Sequence, residues 1–105
     1  MVVYFEKEYL DQLYTTGKTT DKKHRFQPHV AKRFVRAVDL MKKLPNVMSL
    51  NQYGGLHYEH LIGDKKGMSS IRISDQYRLE FVEECEDNEI IATICNIVEL
   101  SNHYD

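Results

Sequence analysis

At 105 residues, 42% of them apolar and 29% charged, the chain has room for one domain with one core, and its composition marks it as globular and excludes the disordered class. No apolar run is long enough to span a bilayer, and Met1-Val2-Val3-Tyr4-Phe5-Glu6 lacks the basic start and long apolar core of a signal peptide, so the expected compartment is the cytoplasm. The net charge of −2 conceals a split, because residues 1–43 hold ten Lys/Arg against five Asp/Glu and residues 44–105 hold four against eleven, so the total does not exclude a polyanion as partner of the first half.

Val2-Val3-Tyr4-Phe5 reads as a short edge strand, and a helix is predicted from about Glu6 to Thr16. Its apolar stripe is Tyr9, Leu10, Leu13 and Tyr14, and Gly17 ends it. Residues 18–25, Lys-Thr-Thr-Asp-Lys-Lys-His-Arg, have no apolar period and form a basic loop, a candidate contact for a polyanion. Phe26 and Pro28 introduce a second helix running to about Leu44, with Pro28 in the first turn, where a missing N–H costs little. Val30, Phe34, Ala37, Val38 and Met41 make its buried stripe, leaving Lys32, Arg33, Arg36, Lys42 and Lys43 on a basic face. After Pro45 a bridging segment with one helical turn at Val47–Leu50 reaches the Gly54-Gly55 break. Leu56 to Ile62 is expected to be a strand, which sends His57 and His60 to opposite faces, and with no Cys or third His at a structural spacing no zinc site is expected. One of the two remains a proton-transfer candidate, because histidine titrates near neutrality.

Residues 69–81, Ser-Ser-Ile-Arg-Ile-Ser-Asp-Gln-Tyr-Arg-Leu-Glu-Phe, alternate apolar and polar on both sides of a polar turn, the pattern of a half-buried hairpin. A three-residue loop, Ser74-Asp75-Gln76, sets Ile73 opposite Tyr77, Arg72 opposite Arg78 and Ile71 opposite Leu79. That register collects the apolar side chains on one face and turns Tyr77 toward the core. It also places two guanidinium groups opposite each other, where like charges repel unless an anion lies between them. The fork of donors on arginine suits a phosphate. Glu89 to Ser101 is the longest predicted strand, apolar on both faces and therefore central or well covered. Tight pairing with Tyr77–Cys85 through an Asp87-Asn88 turn sets Cys85 opposite Ile90 and Arg78 opposite Ile97. Cys85 and Cys95 are accordingly expected to be free thiols, with Cys95 buried. Alternation beyond Ile97 brings Glu99, Ser101 and His103 to the arginine face, and Tyr104 to the reverse unless the chain bends.

Gly63-Asp64-Lys65-Lys66-Gly67, Ser70-Ile71-Arg72-Ile73 and Asp75-Gln76-Tyr77-Arg78-Leu79-Glu80-Phe81 together resemble the core motif of HigB-type toxins, within the RelE-like superfamily of toxin–antitoxin systems. Asn96 to Tyr104 resembles that family's last strand and terminal acid/base residues. The resemblance implies an enzyme that cuts mRNA in the decoding site of the ribosome and is held inactive by a helix-turn-helix antitoxin of HigA type. Ile62 stands where the family carries a Lys, for which Lys65 or Lys66 can substitute, and the acidic run Glu83-Glu84-Cys85-Glu86-Asp87 is a second departure. The basic face bearing Arg33 and Arg36 becomes a candidate contact for ribosomal RNA or antitoxin.

The expected architecture is thus α+β and RelE-like, one domain over residues 1–105, with two N-terminal helices packed on one face of a mainly antiparallel sheet and the arginine face open. The expected chemistry uses no cofactor and no metal. A ribose 2′-hydroxyl attacks the adjacent phosphorus, with Arg72 and Arg78 stabilising the charged phosphorane and His103 and Tyr104, with His60 in reserve, moving the protons. The alternative is a non-catalytic module of the same fold that partners a helix-turn-helix regulator.

Overall fold

The computed structural model describes residues 1–86 and 89–102, and for residues 84–86 and 89–94 the backbone alone. Strands β1 (Val2–Phe5), β2 (Glu59–His60), β3 (Ser69–Arg72), β4 (Tyr77–Glu86) and β5 (Glu89–Asn102) form one sheet in the order β1-β5-β4-β3-β2. β1 runs parallel to β5 and the other pairings are antiparallel, so the fold is α+β with a mixed sheet. Among the described residues no helix is long and apolar enough to cross a membrane.

Helix α1 (Glu8–Thr16) begins two residues later than the acidic run suggests, because Lys7 is still extended. It stops where Gly17 takes a φ of 78° and donates its N–H to Leu13 O at 2.9 Å, a conformation that costs other residues a steric clash. Helix α2 (Pro28–Lys43) starts on the proline. Leu10 and Leu13 of α1 and Phe34, Val38 and Met41 of α2 share one core with Ile71, Leu79, Phe81, Ile97 and Leu100 of the sheet. Val47 and Leu50, on a 3-10 turn over Val47–Gln52, close its edge. Since Ile71, Leu79 and Leu100 point into this core, strand alternation directs Arg72, Arg78 and Ser101 to the opposite side.

Two sequence expectations fail. The strand expected over Leu56–Ile62 shrinks to Glu59–His60, because Gly54–Leu56 winds into a 3-10 turn and His57 adopts a φ of 48°, which no strand accommodates. The register of β4 on β5 also differs. It starts as expected with Cys85 opposite Ile90, but shifts between Glu83 and Cys85 and again between Glu80 and Phe81, so that Arg78 faces Ser101 instead of Ile97. The second shift inserts Val98 between Ile97, opposite Phe81, and Glu99, opposite Glu80. Ile97 and Leu100, three residues apart, can then both enter the core, which an unbroken strand forbids. Glu99 and Ser101 do share a face with Arg78, but through this bulge and not through unbroken alternation.

Beside the core, Tyr58 stacks on Phe81 with ring centroids 6.2 Å apart and donates its hydroxyl to buried Glu83, which pairs across the strands with Cys95. Burial first, then the Glu83 charge, pushes the Cys95 thiol up to about 12 from an ordinary 9.0, and burial, then the hydrogen bond to Glu83, raises the Tyr58 hydroxyl. Both groups are neutral when protonated, so unfolding favours their ionisation. Their contribution is whole below pH 9 and falls away as the pH rises toward 12. Urea midpoints measured from pH 8 to 11 should therefore fall, and Cys95→Val should flatten the fall; equal slopes in the two proteins would contradict the assignment.

Candidate nucleic-acid interface

The hairpin turn builds the centre of the site. Ile73 N donates to Tyr77 O at 3.0 Å, so Arg72 and Arg78 form the neighbouring non-hydrogen-bonded pair, in which side chains approach most closely. The three-residue loop and its register stand as expected. The repulsion between the two guanidinium groups is relieved within the chain. Arg72 donates to the Asp75 carboxylate, and Arg78 Nη1 donates to the carbonyls of Ser74 at 2.8 Å and Tyr77 at 3.2 Å. Asp75 is 87% exposed, and an ion pair that open to water contributes little, so a phosphate can displace it from Arg72.

The other basic residues gather around the same turn. Arg33 and Arg36 of α2 line a cavity of about 290 Å³ with Arg72, Gly55 and Leu56. Arg33 also lines a neighbouring cavity with His29, Ser74 and Gln76. Both α2 arginines are exposed and make no ion pair among the described residues, so the cleft that they line with Arg72 is basic. On the other flank, Lys23 and Arg25 of the loop after α1 line a cavity with Tyr77, Ser101 and Asn102.

Two expected site residues, Lys65 and His60, are engaged away from the arginine pair. Lys65 pairs at 2.7 Å with Glu80, which is 6% exposed, so it neutralises a buried carboxylate and closes over part of the sheet face expected to be open. Lys66 is exposed and without an ion pair among the described residues, and Ile62 is 87% exposed. The structure does not bring His60 to the arginines. It pairs in register with Ser69, its Nδ1 is 3.0 Å from the Ser69 hydroxyl, and Ser69 lies on the core side, opposite Arg72. His103 and Tyr104 lie outside the described residues, directly after Asn102.

Sequence reasoning missed the residues that hold the basic loop in place. β1 ends at Phe5, and the strand edge it leaves on β5 is taken by Tyr9, whose hydroxyl accepts from Leu100 N at 3.1 Å and donates to Glu99. Lys7 Nζ reaches the other Glu99 oxygen at 2.9 Å. The His24 ring stacks on Tyr9 at 3.8 Å and 13°, with Nδ1 3.0 Å from Asp21 and Nε2 3.7 Å from Glu99. The Lys23 N–H first, and then His24, hold the Asp21 carboxyl below its ordinary 3.8. The acidic Asp21 in a basic loop was the one available signal, and Lys7, Tyr9, His24 and Glu99 come from three separate segments.

A family model described as RelE-like toxin of type II toxin–antitoxin system HigB matches residues 3–96. Toxin HigB-1 of Vibrio cholerae serotype O1 is 33% identical over 82 residues, spanning 77% of this chain and 82% of its own. Among solved structures, a YoeB/ParE toxin from Agrobacterium tumefaciens superposes with a TM-score of 0.60 at 16% identity, covering 99% of this chain and 100% of that one. A YoeB–YefM complex from Staphylococcus aureus gives 0.55 at 16% identity, covering 99% and 98%. At such identities the two structures establish a shared fold.

Proposed function

The chain belongs to the HigB-type RelE-like toxins of type II toxin–antitoxin systems, and from that premise we propose that it is a ribosome-dependent endoribonuclease that cuts mRNA and so arrests translation. The observation that carries this reading is the gathering of Arg72, Arg78, Arg33 and Arg36 at one hairpin turn, with an exposed acid as the local counter-charge. Such a group of guanidinium forks suits the phosphodiesters of a single strand and the charge that develops on phosphorus during cleavage.

In the proposed mechanism the ribose 2′-hydroxyl attacks the adjacent phosphorus, and the chain breaks into a cyclic phosphate and a 5′-hydroxyl. Arg78 and Arg72 stabilise the phosphorane. His103 and Tyr104, which follow Asn102 at the end of β5, carry the protons to and from the two oxygens. Arg33, Arg36 and Lys66 hold the flanking RNA, and the ribosome supplies the orientation of the message, a contribution that can replace a strong base. An antitoxin is the expected protein partner. A helix-turn-helix protein of HigA type, seated on the basic elements of residues 18–43, would hold the enzyme inactive without having to cover Arg72 and Arg78.

Mapping of 5′ ends on a defined mRNA, with and without translating ribosomes, tests this directly. New 5′-hydroxyl ends are expected only when ribosomes are present. Ends formed equally without them would make the protein a free ribonuclease, and no ends from folded, antitoxin-free protein would leave the non-catalytic module.

A further inference from the structure

The cavity beside the C-terminal end of β5 has walls of opposite character. One wall is the basic loop, with Lys23 and Arg25 exposed on either side of His24. The other is the strand, which contributes Glu99, Ser101 and Asn102, and the aromatic pair Phe26 and Tyr77 forms the floor, edge to face at 5.4 Å. Its volume is about 370 Å³, inside the range of roughly 300–1,000 Å³ typical of small-ligand sites. Because Ser101 stands opposite Arg78 in the sheet, the cavity adjoins the arginine pair.

The loop wall is anchored. The stack on Tyr9, the contacts of His24 with Asp21 and Glu99, and the acceptance of the Lys23 N–H by Asp21 at 2.9 Å hold the backbone between the two cations. Holding two cations side by side on an ordered loop is costly in entropy and in repulsion, and neither has an ion-pair partner among the described residues.

We propose that this cavity seats one nucleotide of the RNA next to the cleaved bond. Lys23 and Arg25 take its phosphate, the Ser101 hydroxyl and the spare lone pairs of Glu99 take its ribose hydroxyls, and His24 positions the loop without touching RNA. The mixed walls favour a nucleotide over an acidic peptide. A nucleotide offers an anion to the loop and hydroxyl donors to the carboxylate, whereas an acidic side chain opposite Glu99 meets a like charge. The 2′-hydroxyl supplies a donor that DNA lacks. This assignment rests on the RNA-cutting reading but is tested apart from it.

Fluorescence anisotropy with a labelled single-stranded RNA 12-mer, and DNA of the same sequence, measures the seat without ribosomes. Lys23→Ala/Arg25→Ala should weaken RNA binding about tenfold or more and reduce the log–log salt slope by about 0.7, for one phosphate on a single strand. Wild type should prefer RNA to DNA. His24→Ala should reproduce much of the affinity loss although it leaves Lys23 and Arg25 in place, and should add little to the double variant, with an unchanged urea midpoint of the double variant showing that its fold is intact. Unaltered affinity and slope in the double variant, equal binding of DNA, or no RNA binding by wild type would overturn the proposal. If wild type binds RNA through the loop but makes no new 5′ ends on ribosomes, the nuclease reading falls and the seat stands. If the loop variant keeps full affinity while wild type cuts, the seat falls and the nuclease stands.

Discussion

Arg78→Ala is expected to slow mRNA cleavage on ribosomes about a hundred- to a thousandfold, the loss usual when one preorganised donor to a developing charge is removed. Arg78 suits this role because the turn holds its guanidinium in place. Nη1 is fixed by the carbonyls of Ser74 and Tyr77, which leaves the rest of the fork to meet a phosphate. Preorganisation of this kind means that the group does not have to rearrange during the reaction. Arg78→Lys keeps the charge but loses both the fork and its anchoring, so it should recover only a small part of the rate. Since Arg78 also ties the turn, the urea midpoint must be measured in parallel, and two neutral-acceptor bonds on a half-exposed residue should cost about 1–2 kcal/mol. A folded Arg78→Ala protein that cut at the wild-type rate would remove Arg78 from the mechanism.

The parts of this site that could be read in advance are those set by local chain geometry. Loop length and parity fix the relation of Arg72 to Arg78, because both residues lie within a few positions of one turn. The relation of Arg78 to Ser101 could not be reached by counting back from the Asp87-Asn88 turn, since two register shifts intervene. A trace of the second shift was present in the spacing of Ile97 and Leu100, which cannot both face the core on a regular strand. The expected strand at Leu56–Ile62 failed for the opposite reason. Its short alternation was a weak signal, and the backbone at Gly54-Gly55 and His57 overrode it. Lys65 was assigned by proximity to a motif, but the buried Glu80 takes it through a contact fifteen residues away in sequence. Least legible was the clamp of Lys7, Tyr9, His24 and Glu99, because it exists only where the end of β1 exposes the edge of β5. Polar residues of that kind look like solvated surface until the topology brings them together.

Phe81→Ala should destabilise the protein by about 3–5 kcal/mol, the range for deleting a fully buried phenyl ring. For a domain whose whole stability is about 5–15 kcal/mol, that removes about a fifth of it or more. Phe81 has no solvent exposure and sits where three features meet. It lies opposite Ile97 immediately beside the Val98 bulge, supports the stacked ring of Tyr58, and through Tyr58 holds the hydroxyl that pairs with Glu83. A cavity there would loosen the register that brings Arg78 to Ser101 as well as the core itself. Urea denaturation should show a lower midpoint with an unchanged slope if the loss is one of stability alone. Phe81→Leu, which keeps most of the volume, should cost far less. A midpoint for Phe81→Ala within about 1 kcal/mol of wild type would mean that the ring is not held between β5 and Tyr58 as described, because no well-packed core site relaxes enough to hide so large a deletion. The same variant should lose growth inhibition in cells while its arginines are intact, since a few kcal/mol of lost stability lowers the amount of folded protein. Arg78→Ala should lose inhibition with its abundance preserved. Comparing the two by folded protein per cell separates a toxin that is absent from one that is present and inert.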